Sequence, residues 1–302
     1  MVSGENTLIL VVTRECVFSC PVCPIEKQKG KMSQRIAKKS IRLFLERNFL
    51  EIPLIRFFGG EPLLNFSVIK KVVEWTKKRF KNVKFDLTTN FFKFSPQFLK
   101  FFRENENVEL IISTGDKKFP FSSSLFKLTS FSDRITFNIN LWPFNLDWIG
   151  KIFKKLLHHK FFRFNFLPAY YFPWQKSQIN LLEKNLEQIA RIIKTFPKKI
   201  YVKNLATNSP FPLFNLAFTI DVSGEVYFGN FFLHKDFARF GNVFKIGDIN
   251  TISEWKEINT NAQIFSKIDI LKLTKIVFPK RILDSTFAVD KVLNNFCERL
   301  KT

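Results

Sequence analysis

Short runs of apolar, β-branched residues alternate with longer amphipathic segments over the first two thirds of the chain. The runs predict six strands, at residues 7–13, 53–58, 83–88, 108–113, 134–140 and 161–167. The amphipathic segments predict a helix after each strand, near residues 34–48, 66–80, 95–104, 123–130, 146–158 and 177–196. Polar residues suited to N-caps precede four of these helices: Ser33, Asn65, Ser95 and Asn145.

This alternation of strands and helices restricts the fold. Strands joined by helices run parallel, and successive right-handed β/α units curl into an open, partial barrel. We therefore predict an α/β protein with a partial (β/α)6 TIM-like barrel over residues 1–200 and a small α+β C-terminal lobe over residues 201–302. Ligands of such barrels bind at the C-terminal ends of the strands, so we expect the chemistry directly after each strand.

The pattern changes after about residue 200. Two apolar runs, at 216–220 and 225–228, flank the sequence Asp-Val-Ser-Gly, which predicts a β-hairpin with Gly224 at its turn. A short helix near 251–258 and a longer one near 282–300 are expected to follow.

Length and composition narrow the class of protein. The chain has 302 residues, 46% of them hydrophobic and 25% charged, which is the balance of a globular protein with a core. Its apolar runs are too short to cross a bilayer, and its amino terminus has neither a basic region nor a cleavage site. We therefore expect a cytoplasmic protein without a membrane partner.

The charge is strongly positive, with 48 basic and 26 acidic residues and a net charge of +22. Such a charge attracts nucleic acid or an acidic peptide. A base-composition bias explains it equally well, because the residues of AT-rich codons (Phe, Lys, Ile and Asn) are all plentiful. The lysines are dispersed over helix faces, so a nucleic-acid partner is compatible with the charge but has no motif in its support.

Three of the four cysteines fall within eight residues, just after the first predicted strand: Cys16, Cys20 and Cys23. Thiolates on one short loop bind soft metal centres, zinc or iron–sulfur. A structural zinc ion needs a fourth ligand, for which Cys297 or His234 is the candidate, whereas a [4Fe–4S] cluster on three thiolates keeps one iron open. The number of cysteines favours the cluster, while zinc and unliganded thiols stay as alternatives.

Polar motifs also follow the next three strands. Gly-Gly-Glu-Pro at 59–62 follows the second, and its glycines would let the backbone approach a ligand while Glu61 faces a cationic group. Thr-Thr-Asn at 88–90 follows the third strand, and Ser-Thr-Gly-Asp at 113–116 follows the fourth. Each motif alone is typical of a turn, but together at one end of a barrel they indicate a site.

These motifs resemble those of the radical S-adenosylmethionine superfamily. The resemblance rests on the Cys-x3-Cys-x2-Cys loop, the Gly-Gly-Glu-Pro segment and the Thr-Asn element, and it covers roughly residues 5–200. It implies that Cys16, Cys20 and Cys23 bind one [4Fe–4S] cluster, whose open iron is chelated by S-adenosyl-L-methionine. It also implies contacts to that cofactor from a second set of residues: Gly59, Gly60, Glu61, Thr89, Asn90 and Ser113.

The resemblance further implies an enzyme, an oxidoreductase in the broad sense. An external one-electron donor would reduce the cluster, and cleavage of S-adenosylmethionine would yield a 5′-deoxyadenosyl radical that abstracts hydrogen from the substrate. Three positions depart from the family pattern: Val17 replaces a frequent asparagine, Val22 replaces an aromatic residue, and Asp116 echoes a family element only loosely.

Residues 217–256 resemble the SPASM extension of peptide-modifying members of this superfamily. The hairpin cysteine of that extension is replaced by Gly229, and Cys297 alone cannot hold an auxiliary cluster, which needs about four thiolates. We therefore expect a SPASM-like lobe without an auxiliary cluster that acts as a lid or docking platform for a peptide or protein substrate. Two alternatives stay open: a radical S-adenosylmethionine enzyme that modifies RNA, and a non-catalytic metal-binding protein on the same scaffold.

Overall fold

A computed structural model describes residues 6–20, 23, 25–90, 94–114, 123–206, 217–258 and 267–302. The strands are β1 (Thr7–Thr13), β2 (Leu54–Gly59), β3 (Lys84–Thr89), β4 (Val108–Thr114), β5 (Ile135–Leu141), β6 (Arg163–Pro168), β7 (Tyr201–Val202), β8 (Phe218–Ile220), β9 (Glu225–Phe228) and β10 (Lys245–Asp248). The helices are α1 (Gln34–Leu45), α2 (Phe66–Lys77), α3 (Pro96–Glu104), α4 (Ser123–Phe126), α5 (Leu146–His158), α6 (Lys176–Thr195), α7 (Gly241–Phe244), α8 (Lys267–Val277) and α9 (Lys280–Lys301).

The chain divides into two compact units, and each combines an earlier stretch of the sequence with a later one. The first unit is Met1–Leu110 with Phe214–Val277, and the second is Ile111–Leu213 with Phe278–Thr302. The division into a barrel over 1–200 and a lobe over 201–302 stays a prediction.

In the first unit the strands lie in the order β10-β9-β8-β1-β2-β3. β1 pairs in parallel with β2 on one side and with β8 on the other, so it is a central strand. Its apolar run from Leu8 to Val12 is at most 1% exposed, as expected for a strand with both faces covered. The first predicted strand therefore agrees with β1 residue for residue.

All four predicted N-caps occupy that position, and two of them form the side-chain capping hydrogen bond. The Ser33 hydroxyl accepts a hydrogen bond from Ile36 N (3.2 Å), and Ser95 caps α3 in the same way. Asn65 and Asn145 also occupy the N-cap positions of α2 and α5, but neither side chain forms a capping hydrogen bond. The buried Asn65 amide donates instead to the carbonyls of Val12 (2.9 Å) and Met32 (3.0 Å), and so joins β1 to the chain before α1.

The predicted hairpin is present, with β8 antiparallel to β9 and Gly224 at the turn with φ +101°. β8 also lies parallel to β1, with Phe218 opposite Leu8, so the hairpin extends the sheet of the first unit. Of the short helix predicted near 251–258, only residues 256–258 are helical. The longer predicted helix is α9, which begins two residues earlier than expected, at Lys280.

The second unit contains the last residues of β4 and the parallel strands β5, β6 and β7. Phe153 of α5 packs edge-on against Phe164 of β6 (ring centroids 4.8 Å apart), and Phe296 of α9 packs against Phe166 (5.0 Å). One face of β6 is therefore covered by helices, as β/α units require. The helix predicted at 123–130 is the short α4 followed by a 3₁₀ segment, Thr129–Arg134.

Within the ranges described above, no helix has both the length and the apolar character needed to cross a membrane.

Candidate functional site

The three clustered cysteines lie on the segment that leaves β1, residues 14–26, here called the cysteine loop. Its base is closed by Thr13, whose hydroxyl donates to Gly30 O (2.8 Å) and accepts from Glu15 N (3.1 Å). Thr13 is fully buried, so these bonds form away from solvent. The loop therefore starts from a rigid position at the C-terminal end of a central strand, where the sequence predicts the chemistry.

Cys16, Cys20 and Cys23 are all half-buried. Cys23 N donates to Cys20 O (3.0 Å), so a backbone hydrogen bond joins these two cysteines directly. Burial raises the pKa of the Cys23 thiol. As placed, no three His, Cys, Asp or Glu side chains in the described ranges form a group that could hold a metal ion. The donor set nevertheless fits an iron–sulfur cluster, since three accessible thiols share one loop and each would bind a different iron.

The Gly-Gly-Glu segment after β2 runs directly against the start of the cysteine loop. Gly60 N donates to Thr13 O (2.9 Å), and Glu61 N donates to Glu15 O (2.8 Å). A Cβ atom on Gly60 would overlap the Glu15 carbonyl, and one on Gly59, where φ is +135°, would overlap the Thr13 carbonyl. The two glycines therefore permit a close approach of backbone to backbone, which supports the loop itself.

Glu61 is fully buried, and its carboxylate joins the ends of β2 and β3. It accepts hydrogen bonds from Leu63 N (3.0 Å), the Thr89 hydroxyl (2.8 Å) and Asn90 N (2.9 Å). Burial raises the pKa of Glu61, and the three hydrogen bonds partly offset that rise. The structure thus brings Glu61, Thr89 and Asn90 together, while a cationic group facing Glu61 stays a prediction.

Asn90 extends this network to the first cysteine. Its side-chain amide Nδ2 lies 3.6 Å from Cys16 Sγ, within the reach of a weak hydrogen bond to sulfur. A continuous path of contacts therefore runs from the buried Glu61 carboxylate through Asn90 to a thiol of the cysteine loop. The sequence motifs predict both residues at the site, but the path itself depends on how β3 ends, which no motif specifies.

Two further positions singled out in the sequence, Ser113 and Cys297, lie in the second unit. Ser113 is half-buried in β4, and the hydroxyl of its neighbour Thr114 is buried with no hydrogen-bond partner in the described ranges. Val22 and Asp116 lie outside the described residues. Cys297 is buried on α9, and burial raises the pKa of its thiol to about 11, which suits a packed rather than a reactive cysteine.

Tyr170, Tyr171 and Trp174 follow β6, and Tyr170 and Trp174 are buried. The Tyr170 hydroxyl donates to Asp290 on α9 (3.0 Å), and Tyr171 N donates to the Thr286 hydroxyl (2.9 Å). Burial raises the pKa of both tyrosines far above the ordinary value. Tyr170 and Tyr171 therefore join the segment after β6 to α9.

His234, which the sequence offers as a candidate zinc ligand, is buried beside the end of the cysteine loop, a position that no sequence pattern predicts. It follows β9, is 4% exposed and forms a β-bridge with Ile25 at the end of the cysteine loop. Its Nδ1 accepts from Asp236 N (3.2 Å). Desolvation lowers the pKa of His234 to about 4, so the ring is neutral at pH 7.

The lowered pKa of His234 predicts a loss of stability in mild acid. A histidine whose pKa is about 4 when folded and 6.5 when unfolded resists protonation in the native state. Stability should therefore fall as the pH drops from about 6.5 towards 4, by about 2 kcal/mol at pH 5. Urea unfolding at pH 7 and pH 5 measures the loss. His234→Asn keeps an acceptor for Asp236 N and should reduce this loss of stability. His158→Asn, at the exposed end of α5, should leave the loss unchanged. Equal pH dependence in all three proteins would contradict the prediction.

Comparison with known sequences supports the cysteine loop as a cluster-binding segment. Residues 2–122 match the family model described as a 4Fe-4S single cluster domain. An uncharacterized protein of Methanocaldococcus jannaschii is 37% identical over 93 residues, which are 30% of this chain and 32% of the relative. The match thus covers about a third of the length of that curated relative.

Comparison with solved structures identifies the fold. Native anSMEcpe with bound AdoMet and Cp18Cys peptide superposes with a TM-score of 0.69 at 17% identity, covering 86% of this chain and 82% of that chain. Streptococcus suis SuiB bound to the precursor peptide SuiA gives a TM-score of 0.57 at 14% identity, covering 74% of this chain and 59% of that chain. The predicted α/β fold class with TIM-like β/α units is confirmed. The resemblance drawn from the motifs is confirmed for the cluster-domain segment and the fold.

Proposed function

Since the chain carries the cluster-domain segment and the fold of the radical S-adenosylmethionine superfamily, we propose that it is a radical S-adenosylmethionine enzyme acting on a peptide or protein. The observation that carries the proposal is the cysteine loop, whose three half-buried thiols connect through Asn90 to the Glu61 and Thr89 network. A non-catalytic metal-binding protein would have no evident use for that network beside the thiols.

The cofactors of the proposed enzyme are one [4Fe–4S] cluster, held by Cys16, Cys20 and Cys23, and S-adenosyl-L-methionine. Together they supply reductive cleavage to a 5′-deoxyadenosyl radical when an external donor provides one electron. The chain orients them: Gly59 and Gly60 lie against the cysteine loop, and Glu61 fixes Thr89 and Asn90 beside it. Ser113 is proposed as a further contact to S-adenosylmethionine.

A peptide substrate is supported by the neighbours and by one face of the second unit. The neighbours were solved with a Cp18Cys peptide and with the precursor peptide SuiA. On β5 and β6, the face opposite Phe164 and Phe166 carries Asn138, Asn140 and Asn165, and Asn165 Nδ2 donates to Asn138 Oδ1 (2.9 Å). Carboxamides both donate and accept hydrogen bonds, as a peptide bond does, so this face suits a substrate rich in amides.

Formation of 5′-deoxyadenosine tests the proposed function. After anaerobic iron–sulfur reconstitution, the protein with S-adenosylmethionine and a strong reductant should release 5′-deoxyadenosine, detected by mass spectrometry. Slow cleavage without substrate is sufficient, so the target peptide need not be known. A protein that forms no product and contains zinc without iron would refute the proposal in favour of metal binding alone.

Glu61→Gln should weaken the binding of S-adenosylmethionine about tenfold. The carboxylate uses both of its oxygens to accept hydrogen bonds from Leu63, Thr89 and Asn90, whereas a glutamine side chain has only one acceptor oxygen. Calorimetric titration of the cluster-loaded protein measures the affinity. The control is Glu74→Gln, an exposed residue of α2 that pairs with Lys70. Unchanged affinity in Glu61→Gln would show that this network does not contribute to the binding of S-adenosylmethionine.

RNA modification is the second candidate, and it rests on the net charge of +22. The two substrate classes differ in their response to salt. Affinity for a single-stranded RNA oligonucleotide should fall steeply, about 300-fold for six phosphate contacts, between 50 and 200 mM salt. An extended peptide held by backbone hydrogen bonds should depend on salt much less.

A further inference from the structure

A buried ion pair connects the start of the cysteine loop to the β8–β9 hairpin. Arg14 Nε and Nη2 donate to the two carboxylate oxygens of Asp221 at 3.0 and 2.8 Å, and the two side chains are 9% and 7% exposed. Arg14 is two residues before Cys16, and Asp221 directly follows β8. A bidentate pair of this kind has a defined geometry, and removing one partner leaves an unpaired charge buried.

An aromatic stack holds the Arg14 side chain from another direction. The guanidinium lies 5.3 Å from the centroid of the Phe232 ring, and Phe232 stacks on Tyr227 of β9 with centroids 3.7 Å apart. The Tyr227 ring belongs to the hairpin, and the Phe232 ring belongs to the segment directly after it. Arg14 is therefore fixed by charge and by ring contact to the same part of the chain.

The end of the cysteine loop is tied to the same part of the chain. Glu26 N donates to Leu233 O (3.0 Å), and Ile25 forms an antiparallel bridge with His234. Residues 218–234, here called the hairpin clamp, thus contact the loop before its first cysteine and after its last. Fixing both ends of a loop reduces the number of conformations open to the residues between them.

We propose that the hairpin clamp is part of the cluster-binding site, and that Asp221 is a positioning residue that acts through Arg14. The identity of the metal group rests on the proposed function, but the restriction of the loop does not. The lid or docking platform predicted for the whole C-terminal lobe stays a prediction. Within that lobe, the pairing of the hairpin with β1 and its two ties to the cysteine loop make residues 218–234 a support for the three thiols.

Asp221→Asn tests the clamp, with Asp86→Asn as a matched control. Asp86 also forms a bidentate pair in the first unit, with Arg56 (Nε–Oδ1 2.9 Å and Nη2–Oδ2 2.7 Å), but that pair joins β2 to β3. Both variants should unfold at lower urea concentrations. Only Asp221→Asn should make amide hydrogen exchange in residues 14–26 of the metal-free protein about tenfold faster, and release iron to a chelator about tenfold faster.

Equal loop exchange and equal iron release in Asp221→Asn and Asp86→Asn would overturn the proposal. If Asp221→Asn does not fold, Phe232→Leu replaces it, because this change keeps apolar volume and removes the ring beside Arg14. Phe232→Leu should make amide hydrogen exchange in residues 14–26 about threefold faster. An unchanged exchange rate in this variant would also overturn the proposal. A wild-type protein that assembles no cluster would refute the proposed function. Amide hydrogen exchange in the metal-free Asp221→Asn and Asp86→Asn proteins would still test whether the hairpin clamp restricts the cysteine loop.

Discussion

Cys20→Ala is expected to leave the protein folded but without a cluster and without cleavage of S-adenosylmethionine. Cys20 lies half-buried on the cysteine loop, so the stability of the metal-free protein should change by no more than about 0.5 kcal/mol. Two thiolates cannot hold three corners of a cluster, so iron should fall from about four atoms per chain to below about one. Iron content, visible absorbance and 5′-deoxyadenosine yield measure the effect.

Cys297→Ala is the matched control for this loss. The Cys297 thiol is buried on α9, so its removal should lower the free energy of unfolding by about 1 kcal/mol. Iron content and product yield should stay at the wild-type level. If Cys20→Ala kept its iron and its activity, the assignment of the three loop cysteines to the cluster would be wrong.

Gly60→Ala is expected to have the second large effect, a loss of cluster binding together with a loss of about 3 kcal/mol of stability. The added methyl group would meet two backbone carbonyls, those of Glu15 and of Arg14 (2.7 Å). Backbone cannot rotate away as a side chain can, so either the Gly-Gly-Glu segment or the start of the cysteine loop must move. Urea unfolding of the metal-free protein and iron content after reconstitution measure the two losses.

Gly150→Ala provides the comparison for a glycine without a close neighbour. Gly150 lies within α5, and a Cβ atom there would meet no atom within 4 Å. Alanine favours a helix interior over glycine by about 1 kcal/mol, so this variant should be more stable than the wild type and bind iron normally. A Gly60→Ala protein that behaved in the same way would show that the close approach at Gly60 can relax without cost.

The strands and the motifs could be predicted because both depend on neighbours in the sequence. The apolar run of β1 and the glycines after β2 are local features, and a β/α alternation places the ends of parallel strands at one edge. The pairing of β8 with β1 could not be predicted in this way. It joins Leu8 to Phe218 across more than two thirds of the chain, and no local pattern specifies which distant strand pairs with β1.

The side-chain partners inside the site could not be predicted from the sequence either. Glu61 was expected to face a cation, but its described contacts are three neutral donors whose approach depends on the ends of β2 and β3. Asp221 belongs to Asp-Val-Ser-Gly, which is typical of a turn, and the sequence does not distinguish that role from an ion pair with distant Arg14. Asn65 has the residue type of a cap, yet its buried amide bonds two carbonyls of other segments.

The distance along the chain between β1 and β8 has a consequence for the order of synthesis. A ribosome makes the cysteine loop early, but the partners of Arg14 and Ile25 follow only with Asp221 and His234, roughly 200 residues later. At a synthesis rate of about 5–20 residues per second, these partners are made about ten seconds or more after the cysteine loop. Contacts of such separation form late in folding. Stable insertion of a cluster should therefore follow the synthesis of residues 221–234, and nascent chains that end before residue 221 should release iron faster than chains that include the hairpin clamp.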